Sequence, residues 1–86
     1  MTFEEICALA RQRKAEMPEG KSTTDLFKKG PDGIGKKLLE EAAESWMAAR
    51  FEKREDLSME LSQVLYYVAC MMAEKGLTLD EVYAKL

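Results

Sequence analysis

The stretch "KKLLEEAAESWMAAR", Lys36 to Arg50, decides how this chain folds. Leu38, Ala42, Trp46 and Ala49 recur three or four positions apart and extend a series begun at Ile34, which is the spacing of one face of an amphipathic helix. Among these apolar residues stand Glu40, Glu41 and Glu44, directly after Lys36 and Lys37. At roughly 100° per residue, setting Glu41 at zero places Glu44 about 60° to one side, while Leu38, Ala42, Trp46 and Ala49 fill the arc on the other. The carboxylates therefore border the predicted core face. Glu40 and Glu44 are like charges at i,i+4, which oppose a helix by about 0.2–0.5 kcal/mol, and partial burial raises that cost. Nothing in helix formation asks for such crowding.

Working outward, every other segment also reads as helix or loop. Towards the C-terminus, after a turn at "FEKRED", Leu57, Leu61, Val64, Leu65, Val68, Met71 and Met72 mark a second long helix, which Gly76 closes. Thr78 facing Glu81 is a capping box that opens a short last helix in "TLDEVYAKL". Towards the N-terminus, "GPDG", Gly30 to Gly33, breaks the chain. Before it, "EMPEGKSTT" is a loop whose Ser22, Thr23 and Thr24 are N-cap candidates for a short helix through Lys29. Thr2 and Glu5 form another capping box, and Phe3, Ile6, Cys7 and Ala10 carry a first helix to about Ala15. No window alternates as a strand does. The expectation is a single all-α domain over residues 1–86, a small antiparallel helical unit built on two long helices.

The second long helix repeats the layout of the first. With Glu60 at zero, Gln63 lies about 60° to one side, and Leu57, Leu61, Val64, Val68 and Met72 lie across the other arc. Packed antiparallel through their apolar stripes, as a short connection favours, the helices bring Glu41, Glu44, Glu60 and Gln63 alongside one another. A hard divalent cation relieves the repulsion. A ligand set rich in carboxylates and free of histidine suits Mg2+, or Mn2+, which keep several waters and take phosphate oxygens as remaining ligands. The pattern thus points to a phosphorylated substrate. The bland counterpart is a solvated face on which Lys36–Glu40 and Lys37–Glu41 are ordinary surface pairs. Against it stand the Lys-before-Glu order, the weaker orientation for such pairs, and the matching acid on the next helix.

Composition sets the outer bounds. The chain has 86 residues, 47% hydrophobic and 34% charged, with a net charge of −3 and no histidine. A chain this short buries only about 60–65% of its unfolded surface by itself, so a homodimer, with the possibility of further pairing into a tetramer, is expected. Two long helices form one wall, and a second pair from a partner completes a four-helix bundle. The interspersed, slightly acidic charge argues against nucleic acid or an anionic membrane as partner. Cys7 and Cys70, far apart among apolar neighbours, suit a reducing cytoplasm. No basic, apolar leader and no membrane-length apolar run is present. Without histidine, Ser-His and Cys-His nucleophiles and most zinc sites are excluded. Carboxylates must carry any chemistry.

The run "GKKLLEEAAESWMAA" followed by "MELSQVLYYVACMMAEKGLTLDEVYAKL" resembles the phosphoribosyl-ATP pyrophosphohydrolase family, within the all-α, MazG-like NTP pyrophosphatase superfamily. The resemblance extends from "TFEE" through "PEGKSTTDL" to the final "LDEVYAKL". It implies Mg2+-dependent hydrolysis of N1-(5-phosphoribosyl)-ATP to the AMP derivative and pyrophosphate, the second step of histidine biosynthesis, by metal-activated water. Family ligand positions fall on Glu41, Glu44 and Glu60, with Glu40 as outer ligand or orienting group. The fourth acid, an aspartate in the family pattern, is Gln63 here, a neutral amide that ligates more weakly. Lys36 and Lys37, helped by the helix start and the Gly33 and Gly35 amides, are candidates to grip phosphate. Tyr67, on the Glu60 face, is a candidate substrate contact. Tyr66 and Trp46 read as core or interface, and Met47, Met59, Met71 and Met72 as packing. Two other functions fit the same helices: a nucleoside triphosphate pyrophosphatase of the same superfamily, and a non-catalytic helical dimerisation module.

Overall fold

The computed structural model describes residues 1–86. It is all helical: α1 spans Phe3–Glu16, α2 Ser22–Phe51, α3 Arg54–Lys75 and α4 Leu79–Tyr83. Both predicted capping boxes form. The Thr2 backbone N–H donates to Glu5 Oε1 at 2.8 Å and the Glu5 N–H to Thr2 Oγ1 at 3.1 Å, and Thr78 and Glu81 exchange the same pair of bonds at 3.1 Å each. At the end of α3, Gly76 takes a left-handed φ of 68°. The Leu77 N–H then donates to Met72 O at 2.9 Å and the Gly76 N–H to Ala73 O at 3.3 Å, a paired stop that satisfies carbonyls a helix end leaves open.

Inside α2 the break falls at one residue. Gly30 has φ 72° and ψ −160°, a combination that essentially only glycine holds. Pro31 follows as the first residue of the second arm, where its missing N–H costs nothing. This arm therefore starts earlier than Ile34, the predicted start. Lys36 and Lys37 consequently lie in its second turn, and the Gly35 amide lies beyond the first four N–H groups that a helix leaves free. The expected positive helix end at these lysines is displaced towards Pro31. Similarly, α3 begins at Arg54 rather than Leu57, so Glu52 and Lys53 alone link the long helices.

That short link makes α2 and α3 an antiparallel hairpin. A Cβ placed on Gly35 would lie 3.7 Å from Met71 Cε, whereas Glu41 and Glu44 face Glu60, so the numbers run in opposite directions. The buried cluster gathers at the open end of the hairpin, where α1 and residues 22–29 close over it: Cys7, Ala10, Leu26, Phe27, Ile34, Ala69, Cys70 and Met72. Thr24, buried there, satisfies its hydroxyl by donating to Pro18 O at 2.6 Å. Lys14 and Glu74 tie α1 to α3 with an ion pair at 2.8 Å.

The predicted core stripe of α2 is only partly the buried one. Ile34 is fully buried, but Ala42 and Ala49 are exposed and Trp46 is 68% exposed. The side of α2 that meets α3 is instead centred on Glu41, with Ile34, Ser45 and Ala48 buried along it. On the wheel these three lie within about 40° of Glu41. Small side chains at 45 and 48 let the helices approach, and Ser45 Oγ returns its proton to Glu41 O at 2.8 Å. Glu41 thus stands in the seam between the helices, with Glu44 at its exposed border. Leu39, Trp46, Met47, Phe51, Met59, Leu61 and Leu65 are all exposed on the closed half of the hairpin, so the reading of Met47 and Met59 as packing does not hold within one chain.

Candidate metal centre

Glu41 and Glu44 occupy successive turns of α2, and Glu60 projects from the first half of α3 to meet them. One carboxylate oxygen from each of the three lies within 4.8 Å of the others. Glu41 and Glu60 are half-buried and Glu44 is exposed. The seam closes over Glu60 most completely: its Oε2 is shielded from solvent and has no hydrogen-bond partner. An orphaned carboxylate oxygen facing two further carboxylates is an arrangement that a cation would complete. All three donors are hard oxygens with an open side, which suits Mg2+ or Mn2+ and not zinc.

The electrostatics agree. The Glu60 carboxyl is raised above its ordinary value of 4.5, first by hydrogen bonding with Glu41, against a smaller lowering by Glu44, with burial and the charges of Glu41 and Glu52 adding to the rise. A carboxylate that resists losing its proton in the absence of a cation marks a site of concentrated negative charge.

Of the other predicted residues, Glu40 is half-buried beside the trio and accepts an ion pair from Lys37 Nζ at 3.6 Å. The surface pairs Lys36–Glu40 and Lys37–Glu41 are not the ones formed. Lys36 is exposed. Gln63 is half-buried, and its amide nitrogen lies 4.0 Å from Met59 Sδ on its own helix, a weak contact. Tyr67 is half-buried. Its phenol is raised, first by burial, with Lys37 lowering it and Glu41 raising it, and Tyr67 lines one cavity together with Lys37.

The sequence reading did not find the wall opposite Tyr67. Tyr66 is not simple core: its hydroxyl hydrogen-bonds with that of Thr23, and its ring meets Tyr67 edge-on, with centroids 5.2 Å apart at 71°. The run "STTDLFKK" signals only a helix start, so nothing in it announces a partner 43 positions away.

Comparison with known proteins bears on what such a site serves. The family model described as phosphoribosyl-ATP pyrophosphohydrolase matches residues 3–86. The chain is 41% identical over 85 residues to the phosphoribosyl-ATP pyrophosphatase of Bifidobacterium animalis subsp. lactis, covering 99% of this chain and 98% of that protein. It is 45% identical over 86 residues to the enzyme of the same name from Streptomyces avermitilis, covering 99% and 96%. A match this complete, on a chain whose acids meet in one seam, means that the chain belongs to the phosphoribosyl-ATP pyrophosphohydrolase family.

Proposed function

We propose that this protein hydrolyses N1-(5-phosphoribosyl)-ATP to N1-(5-phosphoribosyl)-AMP and pyrophosphate, in the second step of histidine biosynthesis. Family membership and the names of its relatives support the substrate. The observation that carries the chemistry is the meeting of Glu41, Glu44 and Glu60 within 4.8 Å. These three would hold Mg2+, with Mn2+ as a substitute, and Gln63 would contribute at most an amide oxygen or an intervening water. Once bound, the ion supplies charge neutralisation for the triphosphate and lowers the pKa of water.

The remaining side chains bind, orient and move the proton. The water oxygen bonds to one of the two phosphorus atoms flanking the α–β bridging oxygen as that atom's bond to the bridging oxygen breaks; the water proton passes to a carboxylate, and pyrophosphate departs. Glu40, outside the trio and paired with Lys37 at 3.6 Å, would take that proton or orient a ligand. Lys37 and Lys36 would offer ammonium groups to phosphate oxygens, and Tyr67, which lines one cavity with Lys37, would contact substrate beside them.

We further propose a homodimer in the cytoplasm, able to pair again into a tetramer. Large apolar side chains exposed on α2 and α3 support it, since a partner's hairpin laid on them would complete a four-helix bundle. No helix is long and apolar enough to cross a membrane.

The test is pyrophosphate release from phosphoribosyl-ATP, with and without Mg2+, by wild type and Glu44→Gln. Turnover should require the ion and fall about 100-fold or more in the variant, as losing several kcal/mol of charge stabilisation implies. A preference for ATP or another plain nucleotide would reassign the substrate.

A further inference from the structure

Beside the metal centre, a cavity of about 350 Å³ opens between residues 22–29 and α3. Its polar lining comes from Ser22, Thr23, Asp25, Lys29, Lys37 and the Tyr66–Tyr67 pair. Lys37 belongs to both places, since it lines the cavity and pairs with Glu40. The cavity and the acids therefore share a wall.

Its chemistry is not that of the trio. Two ammonium groups suit a phosphate, and neutral hydroxyls from Ser22, Thr23 and the tyrosines suit hydrogen bonding. Asp25 adds a carboxylate, which accepts hydrogen bonds and repels polyphosphate. A ligand that satisfies the whole set carries one phosphate and also O–H donors, as a sugar phosphate does. The volume lies at the small end of ligand pockets, enough for part of a nucleotide and not all of it.

The stem of Lys29 is seated against the second arm of α2: a Cβ added to Gly33 would come within 2.5 Å of Lys29 Cβ and 3.3 Å of its Cδ. The Thr23–Tyr66 hydrogen bond pins residues 22–29 to α3 across the cavity. The segments that carry the hydroxyls and the two exposed lysines are thus held in fixed relation.

We propose that this cavity seats the ribose 5-phosphate end of the substrate, the end remote from the bond that breaks, with Lys29 and Lys37 on its phosphate and Asp25 on the sugar hydroxyls. The assignment rests on the activity proposed above. With the triphosphate charge met by the Mg2+ that the carboxylate trio would hold, Lys29 and Lys37, which line the cavity, are left for the separate monoester. This cavity would then distinguish the substrate from ATP, which lacks that end, and binding there would hold the triphosphate in register.

The experiment measures steady-state hydrolysis of phosphoribosyl-ATP by the full chain and by Lys29→Ala and Asp25→Asn, with ribose 5-phosphate and pyrophosphate as competing probes. Each variant should raise KM about 10-fold, the effect of one hydrogen bond to a charged group, while kcat changes by no more than about twofold. Inhibition by ribose 5-phosphate should weaken by a similar factor, and inhibition by pyrophosphate should persist. An unchanged KM, or weakened pyrophosphate inhibition with ribose 5-phosphate unaffected, would overturn the assignment. If wild type fails to hydrolyse phosphoribosyl-ATP, the activity is wrong. The cavity is then read by titrating ribose 5-phosphate calorimetrically: binding lost in Lys29→Ala supports it, and no binding to wild type overturns it.

Discussion

Glu60 holds its proton more firmly than a free carboxyl, first because the protonated form can share its hydrogen with the facing Glu41 carboxylate, then because burial and the surrounding acids disfavour another charge. This has a consequence for stability. A carboxyl whose folded pKa exceeds its unfolded value near 4.5 stabilises the fold fully below that value, and the contribution is lost as pH rises through the folded pKa. Without a divalent ion, the Glu60 contribution to thermal stability should therefore decline as pH is raised above 4.5, and Glu60→Gln should remove that part of the slope. Mg2+ competes with the proton, so it should raise the melting temperature more at the upper end of this range than at the lower. Melting curves of both proteins across pH, with and without Mg2+, check this. Glu5 works in the opposite sense. Its carboxyl is lowered, first by the Thr2 backbone N–H, so its contribution is present above 4.5 and lost as pH falls through its folded value. The acids themselves were legible because crowding like charges on successive turns has no structural reward. The Lys37–Glu40 pair and the Thr23–Tyr66 bond were not, since side-chain partners depend on rotamers and on long-range packing that spacing leaves open.

At the scale of elements, the two capping boxes and the Gly76 stop are local chemistry and were read correctly. By contrast, α2 starts from Lys21 with no side-chain cap rather than from Ser22, Thr23 or Thr24, and both long helices begin earlier than their apolar stripes suggest. Thr2 with Glu5, Thr78 with Glu81 and Gly76 each close a helix through bonds to residues within five positions. Gly30 is the sharpest case, because its backbone joins the two arms of α2 at an angle that places residues 22–29 over the core. Gly30→Ala should destabilise the protein by about 1–3 kcal/mol, the cost of holding a side-chain-bearing residue in this region. Chemical denaturation measures that loss. A Cβ there meets only Glu74 Oε2, at 4.0 Å, so the cost is backbone strain and not a clash. The inner face of α2 was harder to read. Its wheel carries apolar residues over more than one arc, and size decided among them: Ser45 and Ala48 fit a close seam with Glu41 between them, while Trp46 and Leu39 do not.

For the whole molecule, the unequal distribution of buried surface is the informative feature. The open end of the hairpin has a core, whereas the closed half leaves Leu39, Trp46, Met47, Phe51, Leu61 and Leu65 exposed. Periodicity reports that a face is apolar, not whether its cover comes from the same chain or another, which is why α2's outward stripe read as core. On the proposed homodimer, Trp46→Glu should shift the protein from a mass of at least twice 9.8 kDa towards the single chain. Sedimentation equilibrium reports this directly, and a wild type already monomeric at tens of micromolar would refute the assembly.

The central claim is that acids from the two long helices form one cation site. Its most direct measurement is Mn2+ binding, followed by the paramagnetic resonance of the free ion in wild type, Glu41→Gln and Glu60→Gln, with helix content checked by circular dichroism. Wild type should take up Mn2+, Mg2+ should displace it, and either substitution should weaken binding about 10-fold or more, since each removes a charged ligand from a different helix. Folded variants that bind Mn2+ as wild type does, or a wild type that binds none, would contradict the account.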